Sequence, residues 1–184
     1  MKTIGILALQ GDFDAHLKAV ARAGGRAIEI RAAQQLDACD ALIVPGGEST
    51  TMLKLLEIEN LTEPLRQFAA RKPVFGTCAG AILLAHSVTR PDQPSLNVID
   101  IDVERNAYGR QIDSRITRVQ AGDGEMEAVF IRAPKILRVG PQSRVLATYQ
   151  GDPVWVEQGR HMVTTFHPEL TSDARVHQRF LQSI

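Results

Sequence analysis

Pro73-Val74-Phe75-Gly76-Thr77-Cys78-Ala79-Gly80-Ala81-Ile82-Leu83-Leu84 reads as a strand, a tight turn and a helix, with a thiol at the turn. A turn this sharp crowds the backbone, so small residues must flank it. The Gly-x-Ser-x-Gly elbow of hydrolases meets the same need, and here the spacing carries cysteine. A cysteine at the first turn of a helix feels the positive end of the helix dipole, which favours thiolate over thiol. Taken alone, the segment fits a small buried hydrophobe equally well, since that is what most free cysteines are.

Working outward from the elbow, the N-terminal half alternates strands with helices. Thr3 to Leu9 is a continuous apolar run, as expected of a strand buried on both faces of a parallel sheet. Phe13, Leu17, Val20 and Ala21 recur at helical spacing, and Gly24-Gly25 closes that helix. Ala27 to Ile30 and Ala41 to Val44 read as short strands, the second ending at Pro45-Gly46-Gly47. A helix follows from about Ser49, and Thr62 is placed to cap another that Lys72-Pro73 ends. This alternation predicts right-handed crossovers and an α/β fold: a doubly wound, mostly parallel sheet flanked by helices.

Beyond the loop Pro91-Asp92-Gln93-Pro94 the pattern becomes β-rich. Val98 to Val103, Gln111 to Val119, Ala128 to Ile131, Val145 to Tyr149, Val154 to Val156 and Met162 to Phe166 read as strands. Gly109, Gly122-Asp123-Gly124, Gly151 and Gly159 punctuate them, and a final helix starts near Ser172. His16, His86 and His177 fall in stretches read as helical, without a partner motif, and Trp155 is expected in the core. There is no repeat and no convincing linker, so residues 1–184 are expected to form one domain whose β-rich half extends the same core.

Composition narrows the function. Lys plus Arg equals Asp plus Glu at 21 each, so the totals hold no electrostatic footprint for nucleic acid or an anionic membrane. Cys39 and Cys78 show no framework spacing, and Cys39 reads as packing. A working thiol must stay reduced, which points to the cytoplasm. The apolar stretch after Lys2 runs only from Ile4 to Leu9, too short for a signal peptide, and no run reaches membrane-spanning length.

Three segments carry chemistry: Pro45-Gly46-Gly47-Glu48-Ser49, the elbow at Cys78, and His167-Pro168-Glu169 after the strand ending at Phe166. Loops at the carboxyl ends of strands in an α/β sheet share one crevice, so all three are expected to converge. Pro168 should keep His167 extended, which would put Glu169 on the same side and within reach of the imidazole. The result would be a nucleophile, a base and an orienting acid: Cys78, His167 and Glu169. Read singly, His-Pro-Glu also fits a helix entry with a surface histidine, and Gly46-Gly47 fits a plain turn. A metal site from Cys78, His161, His167 and Glu169 lacks zinc-ligand spacing, and there is no phosphate loop ending in Gly-Lys-Ser or Gly-Lys-Thr.

Five ordered motifs occur together: Pro-Gly-Gly-Glu-Ser-Thr-Thr at 45–51, Phe-Gly-Thr-Cys-Ala-Gly at 75–80, Val-Glu-Arg-Asn-Ala-Tyr-Gly-Arg-Gln at 103–111, Phe-Ile-Arg-Ala-Pro at 130–134 and Phe-His-Pro-Glu-Leu at 166–170. Together they resemble the glutaminase subunits of pyridoxal phosphate synthase, a branch of the class I, Cys-His-Glu, glutamine amidotransferases. The opening Ile4 to Asp12 is similar to that family's start, so the resemblance runs from the first strand to the last helix. It implies hydrolysis of L-glutamine by Cys78, His167 and Glu169, with backbone amides of Gly47 and Ala79 as the oxyanion hole. It also implies a glutamine pocket lined by Gly47, Glu48, Ser49, Arg105, Ile131 and Arg132. Arg105 suits the substrate α-carboxylate through a bidentate pair, and Ile131 would contribute backbone contacts. No metal or cofactor is implied. The partner is the synthase subunit in a large hetero-oligomer, whose docking would set the amides near Gly46-Gly47 into place.

Two alternatives remain open at this point. One is the glutaminase of another pathway, such as that serving imidazole glycerol phosphate, which is not expected to carry Gly-Glu-Ser-Thr-Thr or Arg-Asn-Ala-Tyr-Gly-Arg-Gln. The other is a non-catalytic regulatory subunit on the same fold, whose usual mark is a lost nucleophile or base, whereas this chain keeps all three triad residues.

Overall fold

The computed structural model describes residues 2–107, 115–122 and 124–184. Gly109, Asp123, residues 108–111 of the Arg105 motif and the first four residues of the strand read from Gln111 lie outside them.

Five parallel strands form the half of the large sheet that holds the site. They are β1 (Thr3–Leu7), β2 (Arg26–Ile30), β3 (Ala41–Val44), β4 (Val74–Thr77) and a late strand, β12 (His161–Thr164). Their order is β2-β1-β3-β4-β12. The chain leaves β1 for β2 on one side and returns to β3 on the other, so the switch point lies between β1 and β3.

β1, β3 and β4 are buried almost throughout because helices cover both faces, whereas the edge strand β2 carries Arg26 and Glu29 and buries only Ile30. Ile4, Ile6, Ala41, Ile43 and Phe75 meet Val20 of α1 (Phe13–Arg22) and Val176 and Phe180 of α5 (Arg175–Gln182). Leu7, Leu42, Val44 and Val74 meet Met52 and Leu56 of α2 (Ser49–Ile58), Leu65 and Phe68 of α3 (Thr62–Arg71) and the whole of α4 (Ala79–Leu84). Each fully buried Leu, Ile or Phe contributes about 2 kcal/mol through its removal from water, so the two cores hold the sheet between them. The doubly wound expectation therefore holds for this half. α3 begins differently from the reading above: Leu61, not Thr62, occupies the capping position, and no side chain caps the helix.

The β-rich half extends the same sheet with antiparallel strands. Beyond β12 come β11 (Asp152–Gln158), β10 (Arg144–Tyr149), β7 (Arg115–Ala121) and β8 (Gly124–Phe130). Trp155 is buried in this core, as expected. A second sheet of β5 (Ala85–Thr89), β6 (Ile99–Glu104) and β9 (Lys135–Val139) packs its Val88, Ile99, Ile101, Val103 and Ile136 against the α4 side.

β5 and β9 escape a reading of the sequence for different reasons. α4 passes directly into β5 at Ala85 with no Gly or Pro between them, so nothing punctuates the change. β9 buries only Ile136 and so has no alternation to display. His86 consequently lies in a strand, exposed, with Nδ1 2.9 Å from Asn97 Oδ1. The final helix begins at Arg175 rather than at Ser172. Among the described residues no helix is long and apolar enough to cross a membrane.

Candidate active site

The elbow after β4 is as crowded as its glycines imply. A Cβ on Gly80 would lie 2.0 Å from the Val44 carbonyl oxygen, and one on Gly76 would lie 2.6 Å from the Gly80 carbonyl. Cys78 caps α4 at φ +48° and ψ −105°, a conformation a non-glycine residue adopts only when its surroundings hold it there. Its backbone N–H donates to Thr164 O at 2.8 Å, tying the elbow to the end of β12. The Cys78 sulfur, in a residue 6% exposed, lies between the Ile131 carbonyl at 3.7 Å and the His167 imidazole, whose hydrogen bond with the sulfur favours the charged ring.

His167 follows the end of β12 and is fixed by its backbone N–H, which donates to Val129 O at 2.8 Å. Its Nδ1 is 2.7 Å from Glu169 Oε1. A carboxylate only accepts, so Nδ1 carries the proton, which leaves Nε2 for Cys78. The route to this pair differs from the one read in the sequence. Pro168–Leu170 is a 3-10 turn, not an extended segment, and the turn brings Glu169 back under the ring.

Electrostatics suit a proton carrier. Burial alone would lower the His167 pKa, but hydrogen bonds to Cys78 and Glu169 outweigh it and push it up to about 10. Burial would raise Glu169, yet His16 and the His167 hydrogen bond outweigh it and hold the carboxyl below its usual range.

In front of the pair lies a cleft of about 660 Å³ at the carboxyl ends of β1, β3, β4 and β12. Gly47, Glu48, Ser49, Arg105, Ile131 and Arg132 all line it, as do Cys78, Ala79 and His167. Glu169 lies behind His167, 4% exposed. The convergence expected of the three loops is therefore present. Ala79 opens α4, so its N–H has no partner within the helix and is available to an oxyanion.

The double glycine after β3 has a steric cause. A Cβ on Gly46 would lie 2.4 Å from His167 Cε1, and one on Gly47 would lie 2.3 Å from Gln10 Oε1. The loop is sewn to the loop after β1: Glu48 N–H donates to Gln10 Oε1 at 2.9 Å and Asp12 N–H to Gly46 O at 3.3 Å.

Glu48 has a local task as well. Its carboxylate accepts from the Thr50 and Thr51 hydroxyls and N–H groups at the start of α2, which pulls its pKa to about 2. Arg105 lies 3.4 Å from the same carboxylate. Ser49 Oγ donates to Gln93 Oε1 at 3.0 Å. Ile131 presents its carbonyl to the thiol, and Arg132 sits exposed at φ +46°.

Gln10, Asp12, Ile82 and Asn106 also line the cleft and were not singled out. The position of Gln10-Gly11-Asp12 after a parallel strand beside the switch point was the available signal. His161 is at the opposite end of β12, where its Nδ1 accepts from Val74 N–H, so the cluster of Cys78, His161, His167 and Glu169 is not assembled. Asp12, His167 and Glu169 have donor atoms within 4.8 Å of one another, but His167 and Glu169 already satisfy each other as an acid–base pair. Cys39 is buried, with its pKa raised by desolvation.

Comparison with known proteins agrees with this geometry. Residues 6–184 match the SNO glutamine amidotransferase family. The chain belongs to that family. It is 57% identical, over 192 aligned positions and the whole of both chains, to a protein of Solibacter usitatus (strain Ellin6076) named pyridoxal 5'-phosphate synthase subunit PdxT. A protein of the same name from Koribacter versatilis (strain Ellin345) is 52% identical, across 98% of this chain and 95% of its own. Among solved structures, one described as a glutamine amidotransferase superposes with a TM-score of 0.91 at 45% identity, covering 98% of this chain and 97% of that one. PurLQS from Thermotoga maritima superposes at 0.73 with 15% identity, a likeness of fold.

Proposed function

We propose that the protein is the glutaminase subunit of a pyridoxal 5'-phosphate synthase, acting as one domain in the cytoplasm. The observation that carries the reading is the series Cys78, His167, Glu169, with Cys78 and His167 on the floor of a cleft that Ala79 also lines and Glu169 behind the imidazole. Its close relatives bear the name of that synthase's subunit.

In the first step the Cys78 sulfur attacks the γ-carboxamide carbon of L-glutamine, the proton it gives up resting on His167, whose raised pKa keeps the ring an imidazolium at neutral pH. The amide oxygen gains the negative charge and is met by the amides of Ala79 and Gly47, which act where charge develops. The imidazolium, stabilised by Glu169, returns its proton to the departing nitrogen, and ammonia leaves. A γ-glutamyl thioester remains. Water, deprotonated by His167, cleaves it to glutamate and restores the thiol, so glutamine plus water becomes glutamate plus ammonia. Arg105 would exchange its pairing with Glu48 for the substrate α-carboxylate.

Free ammonia at neutral pH becomes ammonium and diffuses away, so a synthase subunit must receive it. The reading is tested by measuring glutamate release by the chain with and without that subunit, together with glutamine-dependent formation of pyridoxal 5'-phosphate. No such product from a competent partner would overturn the pathway, and equal glutaminase rates would overturn activation by docking. A purely regulatory role is disfavoured by the intact nucleophile and base.

A further inference from the structure

Behind the triad, two histidines are buried with no part in the mechanism above. His16 of α1 is 0% exposed and His177 of α5 is 1% exposed. They stand nose to tail: His16 Nδ1 is 3.1 Å from His177 Nε2, and His16 Nε2 is 3.1 Å from Thr77 Oγ1. His16 Nε2 is also 3.4 Å from Glu169 Oε2. Among the described residues that oxygen has no hydrogen-bond partner at ordinary geometry, although it belongs to a buried carboxylate whose other oxygen holds the catalytic base. Phe75 packs edge-on against both imidazoles, with ring centroids 6.3 and 5.9 Å away, and seals the group from water.

The carboxylate selects the tautomers. If His16 Nε2 were bare, its lone pair would face the lone pairs of Glu169 Oε2 in a dry site, which is strongly unfavourable. Nε2 must therefore carry the proton, shared between Thr77 Oγ1 and Glu169 Oε2. Burial lowers the pKa of His16 despite the nearby carboxylates, which favours the neutral ring. Its Nδ1 must then accept, and His177 Nε2–H is the donor that faces it. Two N–H dipoles thus point in series at the far oxygen of the catalytic acid.

We infer that His16, with His177 behind it, is a positioning residue for glutamine hydrolysis: it holds the Glu169 carboxylate by Oε2 so that Oε1 stays aligned with His167 Nδ1. A carboxylate held at one oxygen only can turn about its terminal torsion, which is soft, and each turn releases the base. This inference rests on the proposed glutaminase activity and concerns the group that acts through its acid.

The test is a variant cycle assayed as glutamate release in the complex with the synthase subunit. Wild-type turnover establishes the activity itself, and its absence would overturn the glutaminase reading rather than this one. His16→Leu removes both nitrogens and should lower kcat roughly tenfold to a hundredfold, the range for one hydrogen bond to a charged group. KM for glutamine should change less than about twofold, since the ring does not reach the cleft. His16→Gln can return an N–H near the Nε2 position and should recover most of the loss, which also guards against a leucine variant that fails to fold. In a Glu169→Ala background, His16→Leu should add almost nothing, because the oxygen it holds is gone. Losses that multiply in the double variant, a kcat unchanged by His16→Leu, or no recovery with folded His16→Gln would each overturn the inference.

Discussion

Gly80→Ala isolates the elbow, because it adds one methyl group and touches no reacting atom. That methyl would lie 2.0 Å from Val44 O and 2.9 Å from Val44 C. Ordinary contact begins near 3.4 Å, so the first turn of α4 must move away from the end of β3 by about 1.4 Å or distort by an equivalent amount. Both neighbours are backbone and cannot swing aside. Overpacking of this kind costs about 1–3 kcal/mol, or about 2–12 °C of melting temperature for a chain of this length. The same movement parts Cys78 and the Ala79 amide from Gly46-Gly47, which lie directly after β3. A displacement near 1 Å at reacting groups costs on the order of a hundredfold in rate. The assay is glutamate release at saturating glutamine in the synthase complex, with thermal unfolding in parallel. Gly122→Ala, where an added Cβ meets nothing within 4 Å, is the control and should change neither. Native melting temperature together with kcat within twofold of wild type in Gly80→Ala would refute the claim that close contact between elbow and β3 sets the nucleophile.

Cys78→Ala should abolish glutamine hydrolysis with the fold intact, and a glutamine-like electrophile should label Cys78 and not the buried Cys39; mass spectrometry decides both. His167→Asn should be nearly as damaging as loss of the thiol, and Glu169→Gln should also lower kcat. Their double variant should be little worse than His167→Asn alone, and independent multiplication in steady-state kinetics would mean that Glu169 does not work through His167. Burial lowers His161 to about 4 and His177 to about 3, so the folded chain leaves them neutral where the unfolded chain, near 6.5, takes up protons. Stability should therefore fall as pH drops from 6.5 towards 4, and urea midpoints against pH should show a shallower fall for His161→Gln. His167 has the opposite sign: its raised pKa contributes fully below 6.5, and that contribution is lost as pH rises towards about 10.

Local chemistry made much of the site legible in the chain alone. An elbow of small residues around Cys78 can be little else once a strand precedes it and a helix follows, since any larger residue at 76 or 80 would strike backbone. The parallel strands β1 and β3 were readable because both of their faces are buried, which removes polar residues from the run. Convergence of loops after β3, β4 and β12 followed from topology, because parallel strands deliver their carboxyl ends to one edge. The Gly46-Gly47 pair reads in sequence as a plain turn, and its steric cause, an imidazole on one side and Gln10 on the other, was not legible.

Tertiary structure alone decided what depends on contacts between distant segments. His16 and His177 look like ordinary helical histidines in sequence, and only the packing of α1 and α5 on the same face brings them together under Glu169. Arg105 and Glu48 meet across two loops, a pairing that no local spacing encodes. The backbone after His167 was also open, because a proline there is compatible with both an extended segment and a 3-10 turn. Side-chain type and near-neighbour sterics are written locally and can be read. Which buried donor faces which buried acceptor depends on how two helices seat against one sheet, and that is settled only when the whole core packs.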